Sequence, residues 1–262
     1  GSRASGAAAQ KAVPVEVLEE ERLETSGASE VNQIIQALAP SFNFPRPTIT
    51  DGTDSVRPAT LRGLGSDQVL VLLNGKRRHT SALVHVNGSI GRGSTGVDLN
   101  AIPASAIERI EILKDGAAAQ YGSDAIAGVI NVTLRNGVEP WGVDLKSGAT
   151  SHGDGQLLDT SVHKGWSVGR GWVFATAEYR DRDQTNRAGP DPNPQGSRDP
   201  VEQPTFHWGD AEVSDIMGFF NSQFPIGSTD SAWLYSFGGV SERRGIHGGF
   251  FRRANQATNI PA

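Results

Sequence analysis

Cysteine is absent from this sequence of 262 residues, which excludes a disulfide framework and every metal site that needs thiolate ligands. A strong charge excess is absent too. The formal net charge is −5, so the basic surface typical of nucleic-acid binding is missing and no nucleic-acid partner is expected. No stretch approaches the roughly 20 apolar residues of a membrane-spanning helix. The alternating strands of a membrane β-barrel are compatible with this composition, because alternation hides them from hydropathy averages.

Motifs for catalysis or for a bound cofactor are lacking as well. Serine, histidine and aspartate are numerous, but no nucleophile motif frames them. The stretch "GLGSDQ" is not a phosphate loop, because no helix with the required glycine spacing follows it. His79 and His85 have no carboxylates at a fixed spacing, which makes them weak candidates for metal ligands. The sequence therefore predicts no enzyme, no cofactor and no metal site.

The chain changes character near Asn136. Residues 1–12 are small and polar, which predicts a flexible N-terminal arm. Residues 13–136 mix helical and strand patterns and predict an α+β domain. Residues 137–262 consist of long alternating segments and predict an all-β domain with four to five strands.

A helix is predicted in the first domain, with Ser29 as its N-cap and Pro40 as the residue that stops it. Its apolar face consists of Val31, Ile34, Ile35 and Leu38.

Two strands carry the clearest pattern in this domain. The apolar run in "DQVLVLLNGKRRH" predicts a strand buried on both faces, followed by a turn at Asn74-Gly75. The run "IERIEIL" predicts a strand with Ile110 and Ile112 on one face and charged residues on the other. The stretch "DGAAAQYGSDAIAGVINV" is rich in small residues. It predicts a compact, hairpin-like return that lets the backbone approach closely, with Tyr121 as an anchor.

The second domain alternates with a period of two and carries aromatic residues near the strand ends, as membrane-barrel strands do. Tight turns alternate with long, Pro-rich loops. The residues predicted to face lipid are Trp141, Val143, Leu145, Val162, Ala175, Ala177 and Trp233. Those predicted to face the interior are Asp144, Lys146, Asp159 and Glu178. A soluble β-sandwich is the alternative that the pattern leaves open.

Two segments together resemble a known family. "LRGLGSDQVLVLLNGKRRH" and "DLNAIPASAIERIEILKDGAAAQYGSDAIAGVINVTLRNG" are similar to the plug domain of TonB-dependent outer-membrane receptors. The resemblance implies an α+β plug domain with a small mixed sheet. The N-terminal part of a large antiparallel transmembrane β-barrel follows it and is incomplete in this chain.

The resemblance also implies a function, namely energy-coupled import of a scarce ligand across the outer membrane of a Gram-negative bacterium, with the plug gating the barrel. Its partners would be the lipid of that membrane, a small ligand and the TonB energy-transducing complex, which pulls a segment N-terminal to Gly1. The ligand stays open among siderophores, cobalamin, haem, oligosaccharides and peptides. The alternatives are a receptor for signalling or adhesion without transport, and a soluble two-domain binding module.

Site residues follow from the resemblance. Arg62 and Arg109 are expected to pair with barrel acids and lock the plug, with a smaller role for Glu111; local pairing or exposure in a hydrated lumen is the alternative. Two plug loops, Ser41–Pro58 and His79–Gly96, are expected to face the ligand. Their candidate contact residues are Phe42, Phe44, Arg46, His79, His85, Asn87 and Arg92.

Five strands do not close into a barrel around a plug. An open sheet edge would also leave backbone groups unsatisfied in hydrocarbon. We therefore expect the remaining barrel strands in another fragment or chain. The strand at Ser231–Gly245 is expected to pair along its length with a strand that this chain does not contain.

Overall fold

The computed structural model describes residues 15–43, 46, 53–56, 59–86, 91–114, 117–188, 208–228 and 232–246. Within these ranges the chain forms an N-terminal part with short strands and a C-terminal sheet with long ones. The strands of the N-terminal part are β1 (Val15–Glu19), β2 (Phe42–Asn43), β3 (Thr60–Leu61), β4 (Val69–Leu73), β5 (Lys76–Arg77), β6 (Ile107–Leu113) and β7 (Gly128–Leu134). Its helices are α1 (Glu20–Thr25), α2 (Val31–Leu38), α3 (Thr53–Val56) and α4 (Ala117–Tyr121).

Five of these strands form a mixed sheet in the order β1-β6-β7-β4-β5. Strands β4 and β7 run parallel, and the other neighbours run antiparallel. All five residues of β4 are buried, which confirms the prediction of a strand covered on both faces. Asn74 and Gly75 then adopt positive φ angles of 48° and 74° and turn the chain into β5, as the sequence predicts.

Helix α2 buries Val31, Ile34 and Ile35, so its predicted apolar face is confirmed. The predicted cap at Ser29 is wrong, because Glu30 is the N-cap residue and makes no side-chain capping bond. A residue distant in sequence supplies the acceptor instead: Asn100 Oδ1 lies 3.1 Å from the backbone N of Asn32. A local serine cap is therefore not needed.

The stretch rich in small residues forms a short helix, α4, followed by a 3-10 turn at Ser123–Ala125. The stretch returns the chain from β6 to the adjacent antiparallel β7, as the sequence predicts, and the high helix propensity of alanine accounts for its local helical form. The predicted close approach occurs at Gly128, whose φ is 144°. A Cβ atom there would lie 2.5 Å from the carbonyl oxygen of Leu113 and 2.6 Å from Leu61 Cδ2. Tyr121 packs against the small apolar cluster beside this sheet.

The C-terminal sheet consists of β8 (Gly142–Gly148), β9 (Leu157–Val168), β10 (Gly171–Arg182), β11 (Glu212–Ile226) and β12 (Ala232–Ile246). Each strand pairs antiparallel with the next, so the sheet is an open meander within the described residues. We call this sheet the wall. Residues 169–170 and 227–231 connect strands at one end, whereas the longer segments 149–156 and 183–211 connect them at the other.

The two faces of the wall follow the predicted alternation. Val143 and Leu145 are 72% and 70% exposed, whereas Asp159 and Glu178 are buried against the N-terminal part. The prediction for Trp233 is wrong: it pairs with Pro225 and therefore shares the inward face of the buried Phe219. Aromatic character near a strand end does not decide the face, because the register with the neighbouring strand does.

No helix in the ranges given above is long and apolar enough to cross a membrane.

Replacing Gly128 by valine is expected to destabilise the N-terminal part by about 2 to 4 kcal/mol, through backbone strain and overpacking. Urea-dependent pulse proteolysis of the membrane-embedded protein measures this. The matched control is Gly148→Val in β8, since a Cβ atom at Gly148 would have open space around it, with no atom beyond its chain neighbours within 4 Å. Equal stability of the two variants would contradict the close approach.

Lipid-soluble quenchers test the register of the wall. Labels at Val162, Ala177 and Leu234 are expected to be quenched, because these positions lie on the outer face. Labels at Trp233 and Asp159 are expected to be shielded. Inverted accessibility on two strands would show that the register is wrong.

Candidate functional site

A row of charged side chains crosses the wall on the face that meets the N-terminal part. Each of the five strands contributes one residue, and neighbouring residues stand directly opposite each other in the register. In strand order they are Lys146, Asp159, Arg180, Asp215 and Arg243. Their signs alternate, so each charge has the opposite charge on the adjacent strand. We call this row the charge ladder.

Arg180 stands at the centre of the ladder and is fully buried. Its Nε lies 3.5 Å from Asp159 Oδ2, and its Nη1 lies 3.3 Å from Asp215 Oδ2. Its Nη2 donates to Glu178 Oε1. Arg243 binds both oxygens of Asp215, at 2.6 and 3.0 Å. Buried charges are costly unless they are paired, and this network pairs each of them.

Glu178 connects the ladder to the N-terminal part through Ser105. The backbone N and the Oγ of Ser105 donate to Glu178 Oε2 at 3.2 and 3.0 Å. The Ser105 hydroxyl also lies 2.8 Å from Oγ1 of Thr176, which is on the same strand as Glu178. One oxygen of the Glu178 carboxylate therefore binds a residue of the wall, and the other oxygen binds a residue of the N-terminal part.

A second contact joins the start of α2 to the ends of β8 and β10. Glu30 Oε1 lies 3.1 Å from Arg182 Nη1, and both side chains are buried. Glu30 Oε2 accepts a hydrogen bond of 2.7 Å from Gln33 Nε2. Two residues earlier, the carbonyl oxygen of Ala28 accepts a bond of 3.3 Å from Lys146 Nζ. The segment before α2 is thus held at two points.

A third contact lies where the N-terminal part passes into the wall. Arg135 pairs with Glu20 at 2.9 Å and with Glu139 at 2.6 Å, and its guanidinium lies 5.4 Å from the ring centroid of Phe174. Burial raises the pKa of Glu20, and the charge of Arg135 opposes this shift. Asn221 Nδ2 donates to the carbonyl oxygen of Arg135 at 2.9 Å.

The interface also has an apolar part. Phe219 of β11 joins the apolar core of the N-terminal part, and Phe237 packs against that core. Helix α1, by contrast, is separated from the wall by a cavity of about 140 Å³. Glu24, Lys146 and Ser161 belong to its polar lining. The contact between the two parts is therefore both polar and apolar.

Residues 8–129 match the TonB-dependent Receptor Plug Domain family. The chain carries a TonB-dependent receptor plug domain.

Three curated relatives support this assignment. The chain is 33% identical over 128 residues to the iron-regulated outer membrane virulence protein of Vibrio cholerae, which covers 48% of this chain and 18% of that protein. It is 32% identical over 114 residues to the ferrienterobactin receptor of Escherichia coli, covering 44% and 15%. It is 41% identical over 91 residues to the vitamin B12 transporter BtuB of Vibrio vulnificus, covering 35% and 13%.

A solved structure extends the likeness to the wall. The ferric enterobactin receptor PfeA of Pseudomonas aeruginosa, as a double mutant, superposes with a TM-score of 0.68 at 21% identity. The match covers 92% of this chain and 34% of that one, so the chain spans about a third of this solved relative. The predicted fold class, a plug domain followed by part of an antiparallel barrel, is confirmed. The predicted localisation in the outer membrane of a Gram-negative bacterium is confirmed by the relatives.

The residues predicted to face the ligand lie in different surroundings. Phe42 is buried in the plug core, whereas Arg46, His79 and Arg92 are exposed. Arg46 Nη1 lies 3.4 Å from Oδ2 of Asp210, two residues before β11.

His85 is buried, and its Nδ1 lies 3.4 Å from Ser66 Oγ. Phe44 and Asn87 lie outside the described residues. Contact with a ligand stays a prediction for all seven residues.

The residues predicted to lock the plug have contacts within the plug itself. Arg62 has a φ of 57°, and its Nη1 donates to the carbonyl oxygen of Lys114 at 2.6 Å. Arg109 lies 2.7 Å from Glu108 and 3.6 Å from Glu111. A locking role for Arg62, Arg109 and Glu111 stays a prediction.

Sequence reasoning placed Glu178 on the interior face but did not predict which residues join plug and wall. Glu178, Arg180 and Arg182 occupy consecutive inward positions of one strand, and this run of charges signals a polar interior face. Glu30 and Ser105 carry no comparable signal, because their neighbours in space come from distant segments.

A polar cluster also ties together the two long connections of the wall. Asp154 accepts hydrogen bonds from Arg187 at 2.6 and 3.0 Å and from the backbone N of Asn186 at 3.1 Å. Thr150 donates to it as well. The hydrogen bonds from Arg187, followed by that from Thr150, hold the pKa of Asp154 well below its usual range. The carboxylate therefore keeps its charge, and this contact, in mildly acidic solution.

Asp154→Asn is expected to speed amide hydrogen exchange at Asn186 by roughly threefold to tenfold, because the amide loses a charged acceptor. In the parent protein, protection should persist as the pH falls to about 4, since a lowered pKa delays protonation. Asp183→Asn, in the same connection, is the control. Unchanged exchange at Asn186 would contradict the assigned role of Asp154.

Proposed function

We propose that the chain contributes the plug and the first wall strands of a receptor for energy-coupled import across the outer membrane. In this proposal residues 1–12 are an arm, residues 13–136 the plug and residues 137–262 the first four to five strands of the barrel. The observation that carries it is the plug packed against the inner face of the wall, where Glu30 forms a buried ion pair with Arg182 and Ser105 donates hydrogen bonds to Glu178. Such a contact closes a passage and can be opened, because polar groups are rehydrated when they separate.

The outward face of the wall supports a membrane setting over a soluble two-domain module. Val143 and Leu145 of β8 and Val240 of β12 are strongly exposed. A soluble protein of this size rarely leaves a broad apolar face in water. In a bilayer the same side chains contact lipid.

The ligand is proposed to be a siderophore chelate or cobalamin, the ligand types in the names of the relatives. Arg46, His79 and Arg92 are the exposed polar candidates for contact with it. The TonB complex is proposed to supply energy by acting on the N-terminal side of the plug. We propose that the protein is not an enzyme, in keeping with the receptors and transporters among its relatives.

Uptake assays in a Gram-negative host without its own siderophore and cobalamin receptors test this function. Expression of the receptor is expected to restore uptake of radiolabelled ferric enterobactin or of cyanocobalamin. An uncoupler, or loss of TonB, should reduce that uptake to the level of the receptor-free host.

Two results would count against the proposal. Binding of a ligand without uptake would favour a signalling receptor. Uptake that persists in uncoupled cells would exclude energy coupling.

A further inference from the structure

The signs of the charges at the interface show what the plug contributes. On the inward face of the wall, the buried network and its rim combine four cationic side chains with three carboxylates. The cations are Lys146, Arg180, Arg182 and Arg243, and the carboxylates are those of Asp159, Glu178 and Asp215. Asp144 shares this face, but its side chain is half exposed and bonds to Ser161. Glu30 of the plug adds a fourth buried carboxylate.

A second acid of the plug, Asp98, lies near Arg243. Burial raises the pKa of Asp98, and the charge of Arg243 opposes this shift. Asp98 Oδ1 is also engaged within the plug, where it accepts a hydrogen bond of 2.9 Å from the backbone N of Asn100. Glu30 meets a wall cation, Arg182, in a direct ion pair.

The geometry around Glu30 is that of a fixed contact. Its side chain is 1% exposed and that of Arg182 is 9% exposed. Arg182 is the last residue of β10 and is oriented by a second bond of 3.0 Å, from its Nη2 to the carbonyl oxygen of Ala211. Glu30 is the N-cap residue of α2, so its position is set by the helix that it precedes. The bond from Lys146 to Ala28 holds the same plug segment from β8.

We propose that Glu30 and Arg182 form an electrostatic latch that keeps the plug seated against the wall. This proposal rests on the proposed function. The ion pair between Glu30 and Arg182 is the contact that must break when the plug moves. Its acid lies on the plug and its arginine on the wall, which is the reverse of the polarity that the sequence predicts for Arg62 and Arg109. Separation of the pair returns the carboxylate to water, so the latch is releasable.

Charge exchange in the complete receptor tests the latch. The variants are Glu30→Gln, Arg182→Gln and the swap Glu30→Arg with Arg182→Glu. The readout is passive entry of a hydrophilic antibiotic too large for general porins, measured without ligand and in uncoupled cells. Each single change is expected to raise entry about tenfold or more, because it leaves a buried charge uncompensated. The swap is expected to bring entry back to within about twofold of the parent, since it restores the pair.

Two controls separate a loose plug from a damaged protein. Glu21→Gln removes a carboxylate from the exposed side of α1 and should leave entry unchanged. Heat-dependent mobility in denaturing electrophoresis reports whether each variant forms a folded barrel. If the single variants do not fold, recovery of a folded and sealed receptor by the swap supports the latch.

The proposal is overturned if the single variants stay sealed, or if the swap leaks or misfolds as the single variants do. Because entry is measured without ligand or energy, the result is independent of transport. A receptor that imports nothing but shows the expected pattern of entry would reject the proposed function and keep the latch.

Discussion

The fully buried guanidinium of Arg180 is the constraint on which the contact between plug and wall depends. A buried cation of this kind is tolerated only when carboxylates surround it, and Asp159, Glu178 and Asp215 do so from three strands. The register of the three strands must therefore place these carboxylates around the guanidinium of Arg180. The same requirement reaches the plug, because Glu178 completes its hydrogen bonding with Ser105. The position of the plug is thus coupled to the charge balance of the wall.

The balance between polar and apolar contact suits an interface that separates. Phe219 is the wall residue that enters the apolar core of the plug, while a cavity lies between α1 and the wall. Apolar surface returned to water costs free energy in proportion to its area, and the cavity reduces the area in contact beside α1. Ion pairs and hydrogen bonds fix the position of the plug, and water replaces much of their energy when they break.

Much of the fold follows from local pattern, and the remainder depends on contacts between distant residues. The uninterrupted apolar run of β4 and the period of two in β10 predict buried and two-faced strands correctly. The cap of α2 was missed because Asn100 supplies it from a distant loop. The charge ladder requires the register of five strands, which no single segment encodes. The face of Trp233 was missed for the same reason, since its pairing with Pro225 decides it.

The polarity of the proposed latch fits the different roles of its partners. A guanidinium is weakly hydrated and presents several donors in a fixed plane, so it suits a stationary site beside other carboxylates. Arg182 occupies such a site, with the carbonyl oxygen of Ala211 as a second acceptor on the wall. The carboxylate of Glu30 lies on the part that moves, where hydration offsets the loss of the pair. The same face of the wall carries four cationic side chains and three carboxylates, so Glu30 is the carboxylate that balances it while the plug is seated. When the plug leaves, this face keeps an excess of one positive charge, which draws the carboxylate of Glu30 back when the plug returns.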